Sequence, residues 1–293
     1  MQINQVLVSA SVGDAVTNAA FELRELLRRV GPSDIYARYI DPALMDDVLL
    51  LRRYDRRASH RPERDVLILH ASIGEPELFR FLRHRPERLV VDVERLRGIA
   101  PDPSTVNHLE QLDGPIVLFV GQLLPHKRPD LLLMVHHVLA TYLMPEAHLV
   151  LVGAGRLQRY QQGLQLFLQD LNLSRAWITG SVSQEALVAF YRHATVFLTL
   201  SEHEGFCVPL LEAMAFSVPV LARARPAIPE TLGHGGLLLP EGGEPVLVAE
   251  ALAEVIENDR LRQDLVAGGR ARLADFDPDR ARARLLDNLL SVI

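Results

Sequence analysis

"TVFLTLSEHEGFCVPLLEAMAFSVPVLARA", Thr195 to Ala224, decides the fold. An apolar run, "TVFLTL", gives way to a polar loop, then to the helix-forming "VPLLEAMAFS", then to a second apolar run, "PVLARA". Pro209 stands where a helix should begin, since its missing N–H costs nothing in the first turn. Strand, loop, helix and strand in 30 positions, with both strands apolar throughout, indicate a parallel sheet covered by helices on both faces.

The same alternation extends in both directions. "PIVLFVG", "HLVLVGAG" and "AWITGSV" read as strands, and "PDLLLMVHHVLATYL", "LQRYQQGLQLFLQDL" and "QEALVAFYRHA" as the helices between them. "GGLLLP" is a further strand with two helices after it. Towards the N-terminus, "QVLVSAS", "DIYARYI", "DVLILHAS" and "RLVVDV" are short strands, with helices at "AVTNAAFELRELLRRV" and "PELFRFLRH". "GIAPDPSTVNHLEQLDG", between Gly98 and Gly114, is proline-rich and polar, and the domain boundary is placed there. The expected division is 1–113, 114–276, and a C-terminal helix over 277–293 that packs back across the junction.

Composition excludes several classes. A net charge of −6 argues against a nucleic-acid partner, which calls for a basic face. One cysteine, Cys207, rules out an internal disulfide and suits a reducing compartment. No stretch approaches eighteen unbroken apolar residues and no secretory leader is evident, so a cytoplasmic protein is expected. The arginine-rich run Arg52 to Arg64 leaves peripheral membrane contact open, although a solvated face is its plainer reading.

Doubly wound sheets bind ligands where the loops leave the carboxyl ends of the strands. Three such loops stand out. In "VGQLLPHKRPDLLL", Val120 to Leu133, a strand ends at Gly121 and Lys127 stands just before a helix. Lys127 is the only lysine among 31 basic residues. A compact ammonium beside free helical N–H groups suits a phosphate, against the plainer reading of a chance surface charge. "LVGAG", Leu151 to Gly155, is a tight turn that lines a site or merely serves packing. In the opening stretch, Glu204 lies in the loop, Gly205 permits close backbone approach, and Glu212 follows one turn into the helix. Two carboxylates around backbone donors describe a ligand with hydroxyls and an anionic group, as a sugar nucleotide has. Either glutamate alone would read as a surface charge.

"SEHEGFCVPLLEAMAFSVPVLA" resembles the Glu-x7-Glu motif of retaining glycosyltransferases of GT-B fold, the group 1 or family 4 type. "LFVGQLLPHKRPDLLL", "LVGAG", "ITGSVSQEALVAFYRHATVFLTLS" and "IPETLGHGGLLL" resemble that family's segments in the right order, from Ile116 to Leu239. The resemblance implies two Rossmann-like domains and transfer of a hexose from a nucleoside diphosphate sugar, with retention of configuration, in surface glycan or polysaccharide synthesis. It implies that Glu204 meets the sugar hydroxyls with the backbone N–H groups of Phe206, Cys207 and Val208, that Glu212 holds the ribose, and that Lys127 neutralises the leaving diphosphate. Gly13 and Gly121 would line the cleft, and Val182 would touch the base. No cofactor or metal is implied.

Two departures accompany it. Gln122 stands where the family usually has arginine, with Arg128 as a candidate substitute, and Cys207 stands where glycine is frequent. The first domain is abbreviated, because a strand, a helix and two loops take roughly 22 to 28 residues, so about 110 residues hold only four such units. His70 is then the candidate cleft histidine, a structural role being its plainer reading. A catalytically weak nucleotide-sugar-binding protein is the alternative function, and an epimerase of the same fold a third. The acceptor is expected to be a carbohydrate or lipid-linked hydroxyl, and apolar surface left by the short domain predicts a homodimer or a complex.

Overall fold

The computed structural model describes residues 3–12, 15–29, 31–53, 66–70, 94–155, 157–204 and 207–276. They divide into two compact units, one within Met1–Asp92 and one over Val93–Asp275.

The first unit carries a parallel sheet of β1 (Ile3–Ala10), β2 (Ile35–Ile40), β3 (Leu49–Leu50) and β4 (Val66–His70), in the order β3-β2-β1-β4. Helix α1 (Ala15–Leu27) links β1 to β2, and Leu7, Ala20, Ile35, Ala37 and Val48 share one apolar cluster. Gln5, fully buried on β1, is satisfied by donating to the Ala20 carbonyl at 3.0 Å. The expected helix "PELFRFLRH", the strand "RLVVDV" and the C-terminal helix 277–293 lie outside the described residues. Of the arginine run, Arg52 and Arg53 are described; both are exposed in a 3-10 turn.

The second unit opens with α2 (Glu94–Arg97) and α3 (Pro103–Glu110). The stretch expected to be linker thus contains a helix. Asp102 caps it, its carboxylate accepting from the Thr105 N–H at 2.8 Å, and Pro103 occupies the first turn. Strands and helices then alternate: β5 (Ile116–Val120), α4 (Pro129–Val138), β6 (His148–Val152), α5 (Gln158–Asp170), β7 (Ala176–Gly180), α6 (Gln184–His193) and β8 (Val196–Thr199). After β8 come α7 (Val208–Ala215), β9 (Val220–Arg223), α8 (Ile228–Leu232), β10 (Leu237–Leu239), α9 (Pro245–Glu257) and α10 (Asp259–Leu273).

All six strands are parallel, in the order β10-β9-β8-β5-β6-β7. From β5 the chain winds outward through β6 to β7; it then returns to β8 and winds the other way. The winding reverses between β5 and β8, the position at whose carboxyl edge open parallel sheets bind ligands. Val117, Phe119, Leu149, Leu151 and Leu198 face α4 and α9, meeting Leu132, Val135, Val248 and Leu252 in one cluster. Burial on both faces is why β6, β8 and β9 are almost wholly apolar, with only His148, Thr199 and Arg223 polar among them.

One core residue carries a pH dependence. His136 on α4 is 2% exposed, and neither ring nitrogen has a hydrogen-bond partner among the described residues. Burial, reinforced by the charges of His148 and His137, holds its pKa down at about 4. The unfolded chain therefore binds the proton first, and stability falls as pH drops from 6.5 to 4, by roughly 3 kcal/mol in total. Urea unfolding at pH 7 and pH 4.5 is expected to show a smaller loss for His136→Leu than for wild type. Equal losses would place the acid sensitivity elsewhere.

Candidate functional site

The loops that leave β5 and β8 meet at the reversal point. β5 ends at Val120, and the chain is held there by its own backbone: the Gly121 N–H donates to the Val152 carbonyl at 2.9 Å, and the Leu123 N–H to that of Ala154 at 3.0 Å. Gly153 is required by this lacing, because a Cβ on it would lie 2.0 Å from the Gly121 carbonyl oxygen. Of the glycines of "LVGAG", Gly153 thus serves close packing of two strand ends, whereas a Cβ on Gly155 would meet the Gln161 side chain of the following helix.

Beyond Gln122 a 3-10 turn, Pro125–Lys127, lifts Lys127 to the edge of the sheet, and Arg128 takes a left-handed conformation (φ 54°, ψ 46°) before Pro129 starts α4. The Glu202 N–H donates to the His126 carbonyl at 2.7 Å, which fastens the β8 loop to this turn. Lys127 Nζ then lies 2.5 Å from Glu204 Oε2, with the carboxylate side chain 4% exposed and the lysine 18%. Two residues 77 positions apart, singled out separately in the sequence, form one ion pair.

Arg128 is engaged elsewhere. Its Nε and Nη2 donate to the Asp130 carboxylate at 2.9 to 3.1 Å, and its Nη1 to Glu202 Oε1 at 2.8 Å. As a substitute for the cation absent at Gln122 it is held by two carboxylates. His126, half-buried in the turn, has its pKa lowered by burial and by the Lys127 charge, so it is neutral near pH 7.

Helix α7 begins at Val208, with Pro209 in its first turn, and Cys207 precedes it at φ 62°, ψ 61°. That backbone suits glycine, and the buried cysteine sits there under strain. Burial, with the Glu204 charge next, pushes its thiol pKa well up, so it stays protonated. Cys207→Gly is expected to leave stability within about 1 kcal/mol, relief of strain offsetting lost packing, whereas a β-branched valine should cost about 2 kcal/mol or more. Thermal unfolding of the two variants decides this, and equal losses would mean the backbone is not limiting.

Glu212, one turn into α7, is 6% exposed, and its Oε2 accepts from the Tyr191 hydroxyl at 2.7 Å. The Tyr191 ring, on α6, stacks on Phe216 with centroids 5.3 Å apart and planes 3° from parallel. Tyr191 was not foreseen, since a tyrosine on an apolar helix face reads as core. The buried hydroxyls of Thr199 and Ser201, 3.1 Å apart where β8 ends, were also missed. Val182 is half-buried in the loop after β7, just before Ser183, whose hydroxyl accepts from the Ala186 N–H at 3.1 Å to cap α6. His203 is exposed.

In the first unit, His70 is the last residue of β4, aligned with Leu7 of β1. Gly13, Gly205 and Phe206 lie outside the described residues. Among the described residues no group of three or more His, Cys, Asp or Glu could hold a metal ion. No helix there is long and apolar enough to cross a membrane.

The family model described as "Glycosyl transferases group 1" matches residues 104–272. A D-inositol 3-phosphate glycosyltransferase of Acidothermus cellulolyticus is 32% identical over 176 residues, 57% of this chain and 39% of that protein. The O-antigen chain mannosyltransferase B of Escherichia coli is 28% identical over 161 residues, 54% of this chain and 41% of that protein. The chain therefore spans about two fifths of the length of these relatives. Among solved structures, Anabaena Alr3699/HepE in complex with UDP-glucose matches with a TM-score of 0.76 at 16% identity, over 99% of this chain and 100% of that one. WaaG, a glycosyltransferase involved in lipopolysaccharide biosynthesis, matches with a TM-score of 0.70 at 12% identity, over 98% and 99%. The fold is of the GT-B type, with parallel sheets in both units.

Proposed function

The chain belongs to the group 1 glycosyl transferases, and we propose that it moves a hexose from a nucleoside diphosphate sugar to an acceptor hydroxyl with retention of configuration. The observation that carries this is the Lys127–Glu204 pair at the point where the sheet's winding reverses. In this reading the C1–O bond to the diphosphate breaks and the acceptor oxygen bonds to C1 on the same face. The acceptor proton leaves on the diphosphate. Lys127 meets the charge that develops on the leaving oxygen, and Glu204 turns to the sugar hydroxyls. The N-terminus of α7, at Cys207 and Val208, offers N–H groups with no partner inside the helix. Glu212 takes the ribose diol, Val182 the base, and Gly121 and Gln122 border the diphosphate.

Gly13, Gly205 and Phe206 keep the roles the family resemblance gives them, and His70 that of a cleft histidine. The proposed division is an acceptor-side domain over 1–113, a donor domain over 114–276 and a returning helix over 277–293. The relatives' names support an acceptor that is a phosphorylated polyol or a glycan chain. A cytoplasmic protein at the inner membrane face, acting as a homodimer, completes the proposal.

A second reading is a nucleotide-sugar-binding protein without turnover. What favours it is that Arg128, the cation nearest to Lys127 in sequence, is already taken by Asp130 and Glu202. Titration calorimetry with UDP-, GDP- and ADP-sugars, followed by turnover with a panel of acceptors, separates the two. Binding and transfer support the first reading, and binding alone the second. No binding by any donor removes both.

A further inference from the structure

A second group of charges lies at the carboxyl edge of the same sheet, outside the machinery just described. Arg223 is the last residue of β9 and is 6% exposed. Its Nε donates to the Glu241 carbonyl at 2.6 Å and its Nη2 to that of Gly242 at 3.3 Å. Its Nη1 is buried with no hydrogen-bond partner among the described residues, and the same is true of Arg225 Nε. Arg225 reaches the exposed Glu241 carboxylate at 3.6 Å through Nη1.

Arg223 thus has only neutral carbonyls as partners. Its pKa is lowered by burial first and then by the charges of Arg225 and Arg128, while the charges of Glu202 and Glu241 act the other way. A buried cation without a carboxylate in contact is expensive unless something else supplies the charge.

The strand order places Arg223 beside the proposed donor site. Along the carboxyl edge, β7 carries Val182, β5 carries Lys127 and β8 carries Glu204, with β9 one strand further on the side away from β7. On the nucleotide-sugar reading, with Val182 at the base and Glu204 at the sugar, the donor would run along this edge and end over β8. Neighbouring strands lie about 4.8 Å apart, and Arg223 ends the strand beside β8.

We propose that Arg223 and Arg225 form an anion subsite for a carboxylate or phosphate that the substrate carries just beyond the transferred sugar. The anion comes either from the donor, as the carboxylate of a uronic acid, or from a phosphorylated acceptor. The subsite rests on the nucleotide-sugar reading above and adds to it a preference that an uncharged hexose does not satisfy.

Calorimetry on the full chain tests it. Donor pairs that differ only in the anion, UDP-glucose against UDP-glucuronate and GDP-mannose against GDP-mannuronate, examine the first source. Glucose against glucose 6-phosphate, titrated onto protein saturated with UDP or GDP, examines the second. One anionic ligand is expected to bind about tenfold more tightly than its neutral partner, the range of a charge-assisted hydrogen bond. The preference should shrink to within about twofold in Arg225→Gln, a variant that leaves the Arg223 clamp on Glu241 and Gly242 in place. Arg223→Lys, which keeps the charge but loses the fork, should weaken it too.

Neutral and anionic partners binding alike in both formats would overturn the subsite while leaving the nucleotide-sugar reading intact. A preference unchanged in both variants would also overturn it, since the anion would then be held elsewhere. Failure of every nucleotide and nucleotide sugar to bind would remove the underlying reading, and the subsite with it.

Discussion

Lys127→Ala is expected to lower turnover by about 10²–10³-fold, the loss that follows removal of one charge-stabilising group from a reaction that builds up an anion. The same change leaves Glu204, with 4% of its side chain exposed, without the ammonium 2.5 Å away. Breaking a buried pair from one side costs about 3–5 kcal/mol, because the remaining charge stays desolvated. That is a large share of a typical domain's 5–15 kcal/mol, so loss of activity in the single variant alone would not separate chemistry from folding.

The double variant Lys127→Ala/Glu204→Gln, set against Glu204→Gln alone, separates them. A neutral amide at 204 removes the stranded charge, and thermal stability should return most of the way. Activity should stay well below that of Glu204→Gln alone, because the cation at the leaving group is still missing. Recovery of turnover together with stability would show that Lys127 serves only as the counterion of Glu204, and the assignment to the diphosphate would be withdrawn. Lys127→Arg makes a third arm, since a planar fork cannot reproduce a compact ammonium on a flexible stem. Its stability is expected near wild type with turnover well below it.

The residues show why some of this was legible in the sequence and some was not. Strands buried on both faces announce themselves: the strand expected at "HLVLVGAG" starts at His148 as expected and stops at Val152 before the glycines, and that expected at "TVFLTL" spans Val196–Thr199. Helix α3 was hidden because Asp-Pro-Ser-Thr has a loop's composition, although an aspartate cap followed by proline is equally a helix start. Lys127 and Glu204 could each be singled out, but their contact across 77 positions is a property of the strand order. Arg128 depends even more on context. Nothing local reveals that Glu202, 74 residues on, accepts one arm of its fork. Arg223 could not be read at all, because its partners Glu241 and Gly242 meet it only once β10 is laid beside β9.

The Tyr191–Glu212 bond yields the second large effect. Tyr191→Phe deletes the hydroxyl that donates to Glu212 Oε2 at 2.7 Å and leaves the ring stack on Phe216 in place. Removing one partner of a hydrogen bond to a buried carboxylate costs about 1–3 kcal/mol. If Glu212 holds a ribose diol, removing this donor also loosens the group that must meet two hydroxyls at once. Nucleotide affinity should then fall by about tenfold, appearing in KM rather than kcat, since the ribose is held alike in ground and transition states.

Glu212→Ala should abolish detectable binding. Glu212→Gln, which can still accept from Tyr191, should fall between the two variants. An alkaline measurement checks the environment independently. Burial, then the Glu212 charge, raises the Tyr191 pKa well above 10. As pH rises past 10 the unfolded chain loses this proton and the folded one does not. The unfolded state then binds fewer protons, and stability drops by about 1.4 kcal/mol per pH unit for this residue. Tyr191→Phe should remove that part of the alkaline slope while lowering stability at pH 7. A variant that kept wild-type affinity would place Glu212 in the core of α7 rather than in the nucleotide site, whatever its cost in stability.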